Sequence, residues 1–309
     1  MAKSDVAQQH GILLLNKPKG PSSGGCIGKI KRLGQKKIGH AGTLDPMAQG
    51  LLIVLLGQGT KLSNYLMTGG EKVYSGTIKL GETTDTWDAE GEVTATADWQ
   101  HITEDDVRAE VNHWLDVTEQ EVPAYSAAKH KGKSLYKLAR EGKETPVKIK
   151  TVKISEAATL SVELPFLRFR VRCSTGTYIR SLAHSLGIRL GCGAVLTELI
   201  REYSHPFSLE HACEPDELID NPELLESKVI SLEQALPQWP KIVLNNEDMA
   251  LVKNGNPVPY DPEKVANMPF SVGINAMLLG PDRTPLALAE TNIVHRQPVW
   301  SIMRGLWHS

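Results

Sequence analysis

Several things that would announce a function are missing from these 309 residues. The four cysteines, Cys26, Cys173, Cys192 and Cys213, form no C-x-x-C pair, which removes the signal for a zinc ribbon or a dithiol redox motif. They are expected to be reduced and mostly buried. The ten histidines fall in no H-E-x-x-H or similar spacing, so no metal is expected. No apolar run approaches the roughly 20 residues that cross a bilayer. The stretch from Met1 to His10 lacks the apolar centre of a secretory leader, which points to the cytoplasm. There is no internal repeat, no low-complexity tract and no nucleotide-binding glycine loop. Catalysis, if there is any, must come from side chains.

Charge is present but segregated. The net charge is only -2, yet Lys17 to Lys37 holds seven basic residues and no acid, and Lys129 to Lys153 holds nine against Glu141 and Glu144. In Leu167 to Cys173 the basic residues Arg168, Arg170 and Arg172 alternate with Leu167, Phe169, Val171 and Cys173, the period of a strand with one apolar and one cationic face. Glu82 to Glu121 carries thirteen acids and the single base Arg108. One lysine run is ordinary solvated surface. Three runs opposite an acidic segment suit a polyanion such as nucleic acid.

The chain is long enough for two domains. Gly11 to Asn16 is a short apolar strand ended by the turn Lys17-Pro18-Lys19-Gly20-Pro21. Ser22 or Ser23 then caps a glycine-weakened helix carrying Cys26, Ile27, Ile30 and Leu33 on one side. Gly39 to Gly50, reading GHAGTLDPMAQG, is too glycine-rich for a regular element and leads into Leu51 to Leu56, a run suited to a central strand. The pattern continues with a short helix at Thr60 to Met67 and a strand at Val73 to Leu80 with Tyr74, Gly76, Ile78 and Leu80 on one face. Beyond these come a helix around Thr103 to Trp114, strands at Lys148 to Leu160 and Val162 to Cys173, and a helix at Thr177 to Leu190. This is an α+β pattern with a mixed or antiparallel sheet. After the acidic stretch Glu210 to Glu226, the proline cluster Pro237 to Pro240 reads as a linker. It puts a boundary near Trp239, between a domain of residues 1–239 and a smaller one of residues 240–309.

The string GHAGTLDPMAQGLL around Asp45 resembles the catalytic loop of the type B (TruB) pseudouridine synthases of bacteria. Four further segments resemble that family in the same order: NKPKGPSS from Asn16, KVYSGTIKLG from Lys72, GTYIRSLA from Gly176 and GCGAVLTELIR from Gly191. KNGNPV from Lys253 and LALAE from Leu286 look, more loosely, like the small β-barrel PUA domain of many RNA-modifying enzymes. The resemblance implies the pseudouridine synthase fold and no cofactor. It also implies conversion of the T-loop uridine of tRNA to pseudouridine, by cleavage of the glycosidic bond, rotation of the base and bonding of C5 to the ribose. An Asp-Pro pair alone is usually a turn; the whole string is what singles out Asp45.

The same resemblance assigns roles. Asp45 is the carboxylate that attacks C1′ or removes the 2′ proton, and the sequence does not choose between these. Tyr74 stacks on the extruded uracil and is a candidate base for the C5 proton. Arg180 lies in the first turn of a helix, where positive charge is disfavoured, and an ion pair with Asp45 is expected to compensate. Leu199, taken as a helix residue, and Tyr178 contact the base; His40 helps hold the T-loop; Lys19 supports the loop or meets a phosphate. A basic insertion of about residues 123–150, with Lys129, Lys131, Lys133, Lys137 and Arg140, grips the T-arm. A guide-RNA-dependent synthase and a noncatalytic tRNA-binding protein are the competing readings. The basic insertion favours a stand-alone enzyme, taken as a monomer by default.

Overall fold

The computed structural model describes residues 7–141, 143, 145–265 and 269–307. Residues 1–6 of the polar N-terminus, and Gly142 and Glu144 of the basic insertion, lie outside the described residues. The main sheet is built from β1 (Gly11–Lys17), β2 (Ile38–Ala41), β3 (Gln49–Leu56), β4 (Glu71–Leu80), β5 (Ile154–Glu163), β6 (Phe166–Ser174), β7 (Ala194–Ser204), β8 (Phe207–Ser208) and β9 (Ile230–Ser231). Its order is β5-β6-β4-β7-β3-β1-β9, with β8 on β7 and β2 on β3. The β7–β3 pair is parallel and the other pairs are antiparallel, so the sheet is mixed.

Sequence and position in the sheet agree. β3 reads QGLLIVLL without alternation because it lies inside the sheet with both faces covered, and Leu51 to Leu56 are all buried. Each such leucine contributes about 1.5–3 kcal/mol by leaving water. β6 alternates as its sequence requires, with Leu167, Phe169, Val171 and Cys173 inside. The helices α2 (Glu104–His113) and α4 (Ile179–Arg189) cover that face through Val107, Val111, Leu182 and Leu186. A capping box between Thr103 and Asp106 starts α2. The glycine-weakened α1 (Ser23–Arg32) is capped by Ser22 and held by Cys26 and Ile30 against Leu13, Leu15 and Leu52. Protein packing therefore supplies what its propensity lacks.

Four sequence expectations change. Gly39 to Ala41, expected as part of the irregular loop Gly39 to Gly50, belongs to β2 and pairs with β3 in register His40↔Val54; glycine is tolerated there because the partner strand supplies the hydrogen bonds. The stretch expected as one strand from Lys148 is split: Ile149–Thr151 pairs with Glu119–Glu121, and only β5 joins the main sheet. Val162 belongs to β5, since the hairpin turns at Leu164-Pro165. Leu199 is on strand β7, enclosed by β4 and β3, rather than on a helix.

A second, five-stranded sheet follows: β10 (Lys241–Val243), β11 (Val258–Pro259), β12 (Asn275–Leu279), β13 (Pro285–Val294) and β14 (Gln297–Gly305), in the order β10-β12-β13-β14-β11. This open order makes a curled half-barrel. It is not separated from the first sheet. Met277, Leu279, Leu288 and Leu306 share a core with Ile12, Leu14, Leu51 and Ile53, and Trp239 meets Tyr65 edge to face at 5.1 Å.

Candidate active site

The segment from Gly42 to Ala48 leaves β2 and enters β3, and several clamps hold it. The Ser23 hydroxyl donates to the Leu44 carbonyl and accepts from the Leu44 amide, both at 2.9 Å. The Lys17 ammonium, fully buried at the end of β1, donates to the carbonyls of Pro18, Pro46 and Ala48 at 3.0, 3.1 and 2.6 Å. The Gly20 amide donates to the Pro46 carbonyl at 2.9 Å. Gly50 (φ +95°) passes so close to Arg201 that an added Cβ would lie 2.5 Å from its carbonyl oxygen, which leaves only glycine there. Leu44, Met47 and Ala48 are buried in the main core. The loop is thus rigid, and the Asp45 side chain, still 41% exposed, projects from it.

Asp45 Oδ2 lies 2.9 Å from Arg180 Nη2. Arg180 is nearly buried at the start of α4, and its other contacts fix it completely: Nη2 donates to the Tyr125 carbonyl at 2.9 Å, and Nη1 donates to the Thr86 carbonyl at 3.0 Å. A second carboxylate, Asp88 Oδ2, sits 3.4 Å from Nη1. Asp88 is itself held by the Thr86 hydroxyl at 2.7 Å and the Glu90 amide at 3.1 Å. One guanidinium therefore stands between two carboxylates, and this offsets the helix-start penalty. Its surroundings raise Asp45 above an ordinary aspartate: the exposed part of the side chain faces a protein-walled cavity and not open water, so desolvation pushes the carboxyl up, Arg180 opposes this, and Asp88 adds to the rise.

Asp45, Arg180, Tyr74, Tyr178 and Leu199 line one cavity of about 280 Å³, together with Gly42, Thr43, Met67, Lys72, Ser126 and Gly176. It is open on one side and has room for one base-sized group. Tyr74 presents its ring from β4, and burial pushes its phenol up, with Arg201 opposing, so it is neutral near pH 7. Tyr178 caps α4 and exchanges two hydrogen bonds with the Gln120 side chain, its amide donating at 2.5 Å and its carbonyl accepting at 3.3 Å.

The remaining candidates are placed apart. His40 bonds to Thr43 at 3.1 Å but does not line the cavity, and burial lowers its pKa. Lys19 is exposed, whereas Lys17, two residues earlier, is the lysine under the loop. Lys129, Lys131, Lys133, Lys137 and Arg140 are all exposed on a small hairpin (Lys129–His130, Lys133–Ser134) and on α3 (Leu135–Arg140). Here Arg140 covers the Tyr136 ring at 5.2 Å. The face of β6 expected to be cationic is largely neutralised. Arg170 pairs with Glu202 at 2.8 Å, and Arg172 pairs with Glu156 at 2.8 Å and with Glu71 at 3.8 Å.

Sequence reasoning missed Asp88, Lys17, Lys72 and Arg201. Asp88 was one of thirteen acids in its segment, and only the local Thr86-x-Asp88 turn set it apart. Arg201 ends the string that yielded Leu199, and Lys72 opens the one that yielded Tyr74.

Residues 30–179 match the TruB family pseudouridylate synthase (N terminal domain). The tRNA pseudouridine synthase B of Oleidesulfovibrio alaskensis is 67% identical over 309 residues, covering 100% of both chains. The chain belongs to the TruB family. Within that family, the tRNA pseudouridine synthase B of Thermotoga maritima is 40% identical over 251 residues, 81% of this chain and 80% of that one. Among solved structures, a chain of a Cbf5-Nop10-Gar1 complex superposes with a TM-score of 0.70 at 24% identity, over 97% of this chain and 85% of that one. A chain of an H/ACA RNP bound to a substrate RNA containing 2′-deoxyuridine gives 0.68 at 23%, over 96% and 85%. These two likenesses support the pseudouridine synthase fold of this TruB family member. The family match covers Asp45 and Tyr74, while Arg180 and Leu199 lie beyond residue 179.

Proposed function

We propose that the protein converts the T-loop uridine of tRNA to pseudouridine without a cofactor or a guide RNA. The observation that carries this reading is the Asp45 carboxylate, held by Arg180 at 2.9 Å in a cavity that Tyr74 and Leu199 also line. The target base leaves its stack, at a cost of a few kcal/mol, and enters between Tyr74 and Leu199. Asp45 then acts on the ribose, at C1′ or at the 2′ proton, as the N1–C1′ bond breaks. The freed uracil turns within the cavity and C5 bonds to C1′ as the Asp45–C1′ bond breaks or as Asp45 returns the 2′ proton; the C5 proton then leaves to water and N1 takes one up. The neutral Tyr74 phenol suits stacking and hydrogen bonding to the base. Relatives named tRNA pseudouridine synthase B support tRNA as the substrate.

The basic insertion, about residues 123–150, is assigned to the T-arm. Five of its exposed cations, Lys129, Lys131, Lys133, Lys137 and Arg140, follow Ser126, which lines the cavity, and Tyr125 ties the segment to the site: its carbonyl accepts from Arg180 and its ring meets Tyr136 at 6.4 Å. The half-barrel from residue 240 onward is assigned as a PUA-like contact to RNA. Pseudouridine mapping on an unmodified tRNA transcript tests the reading: one pseudouridine, in the T-loop, is expected, and an unmodified T-loop would reject it.

Lys131→Ala with Lys133→Ala is expected to weaken tRNA binding and to make log K fall less steeply with log salt, the slope shrinking by about one for each phosphate that a lysine no longer neutralises. Turnover at saturating tRNA should stay near wild type. Filter-binding titrations between low and moderate salt, paired with single-turnover rates, measure both.

A further inference from the structure

The cavity has a second charged wall that the chemistry above leaves unused. Lys72 lines it next to Tyr74 and Gly42, and no hydrogen bond or ion pair engages its ammonium among the described residues. Behind it, Arg201 is fully buried. Its Nε and Nη2 donate to the carbonyls of Leu51 at 2.7 Å and Gly42 at 2.8 Å, but Nη1 has no hydrogen-bond partner among the described residues. The two cations converge: an atom placed where a Cβ would sit on Gly42 would be 3.2 Å from Lys72 Nζ and 3.3 Å from Arg201 Nη1. The flanking strands bring no carboxylate opposite Lys72, whose register partners are Cys173 on β6 and Ser204 on β7. Lys150 adds further positive charge, and Asp45 across the cavity is already engaged by Arg180. Burial, reinforced by Arg201, brings the Lys72 ammonium down to about 7. Cations gathered in a cleft without a counter-charge cost stability unless an anion comes to them.

We propose that Lys72 is a catalytic residue that donates a hydrogen bond to a carbonyl oxygen of the extruded uracil and stabilises the negative charge on the base once N1–C1′ has broken. This rests on the pseudouridine synthase reading and adds to it a residue for the base, as Asp45 is the residue for the ribose. When the bond breaks, its electron pair leaves with N1 and spreads over O2 and O4. Asp45 meets the electron demand at C1′ by bonding to it or by taking the 2′ proton. On reattachment the uracil returns the pair through C5 as the Asp45–C1′ bond breaks or as Asp45 gives the 2′ proton back; the C5 proton then leaves to water and N1 takes one up. Lys72 keeps its protons throughout and supplies a fixed positive charge where the base turns. Arg201 sustains that field from behind.

The ammonium is the working form, so turnover should decline as pH rises through about 7. The groups facing Lys72 in this titration are Arg201, Lys150, Cys173, Tyr74 and Asp45. An arginine keeps its charge across this range.

The test compares wild type, Lys72→Met and Lys72→Arg in single-turnover pseudouridine formation on tRNA transcript against pH, together with tRNA Kd against salt, and Tm. Lys72→Met is expected to lose roughly 100-fold in rate at saturating tRNA, with Kd and salt slope unchanged. Its Tm should be no lower than wild type, because methionine fills the space without a buried charge. Lys72→Arg should retain more rate and lack the alkaline decline. The proposal is overturned by a Met variant with wild-type rate. It is equally overturned by weaker binding and a salt slope reduced by about one at normal saturated rate, since the ligand would then be an RNA phosphate. A lowered Tm in Lys72→Met with the alkaline decline persisting in Lys72→Arg would mark the lysine as structural. If wild type forms no pseudouridine, the enzymatic reading falls and takes this proposal with it. An active wild type with a fully active Met variant removes the proposal alone.

Discussion

Asp45→Asn is expected to reduce pseudouridine formation by at least ~10²–10⁴-fold, the range for removing a positioned base or nucleophile, while tRNA affinity stays within about threefold. The side chain projects into the cavity from a loop clamped by Ser23, Lys17 and Gly20, so the isosteric amide should leave the fold intact. Retained binding with abolished turnover would separate an enzyme from a protein that only binds tRNA. The ionised carboxylate is the active form, and its surroundings raise it above an ordinary aspartate. Activity should therefore fall on acidification at a higher pH than an unperturbed aspartate would give. The sign for stability is the opposite: a carboxyl raised on folding contributes stability that is full below its unfolded value and is lost as pH rises through its folded value.

Arg180→Met should damage both activity and stability. It leaves Asp45 and Asp88 facing each other without the guanidinium between them, and the Thr86 and Tyr125 carbonyls without their donors. Asp45, 41% exposed, can shed part of the penalty to water, but Asp88, at 5%, cannot. Removing one partner of a buried pair costs about 3–5 kcal/mol, which for a chain of this size lowers Tm by roughly 5–15 °C. Arg180→Lys keeps the charge but not the fork that serves four acceptors; its Tm should lie between those of wild type and the Met variant. Differential scanning calorimetry with single-turnover rates on the same preparations measures both effects.

The stretches most readable in the sequence were those where one period or one string dominates. β3 showed itself as an unbroken apolar run and β6 by its alternation, and the loop around Asp45 stood out as a string. Leu199 was placed on a helix because ELIR reads as readily in one state as the other. Only its neighbours β4 and β3, distant in sequence, make it a strand. The cations of β6 looked available because Glu71, Glu156 and Glu202, which neutralise them, come from three other strands. Asp88 escaped notice for the same reason: it reaches Arg180 only after folding brings residues 86–88 to the start of α4. Lys17 and Lys19 share one turn, and only the register Lys17↔Gly50 shows which of them lies beneath the loop.

The most direct test of the account is the release of the C5 hydrogen as tritium from an unmodified tRNA transcript labelled at uridine C5, with the purified protein alone. Wild type should release the label of one uridine per tRNA without guide RNA or cofactor, and Asp45→Asn should release none above background. No release by wild type, or equal release by both proteins, would contradict the assignment of Asp45 as the group that carries the reaction.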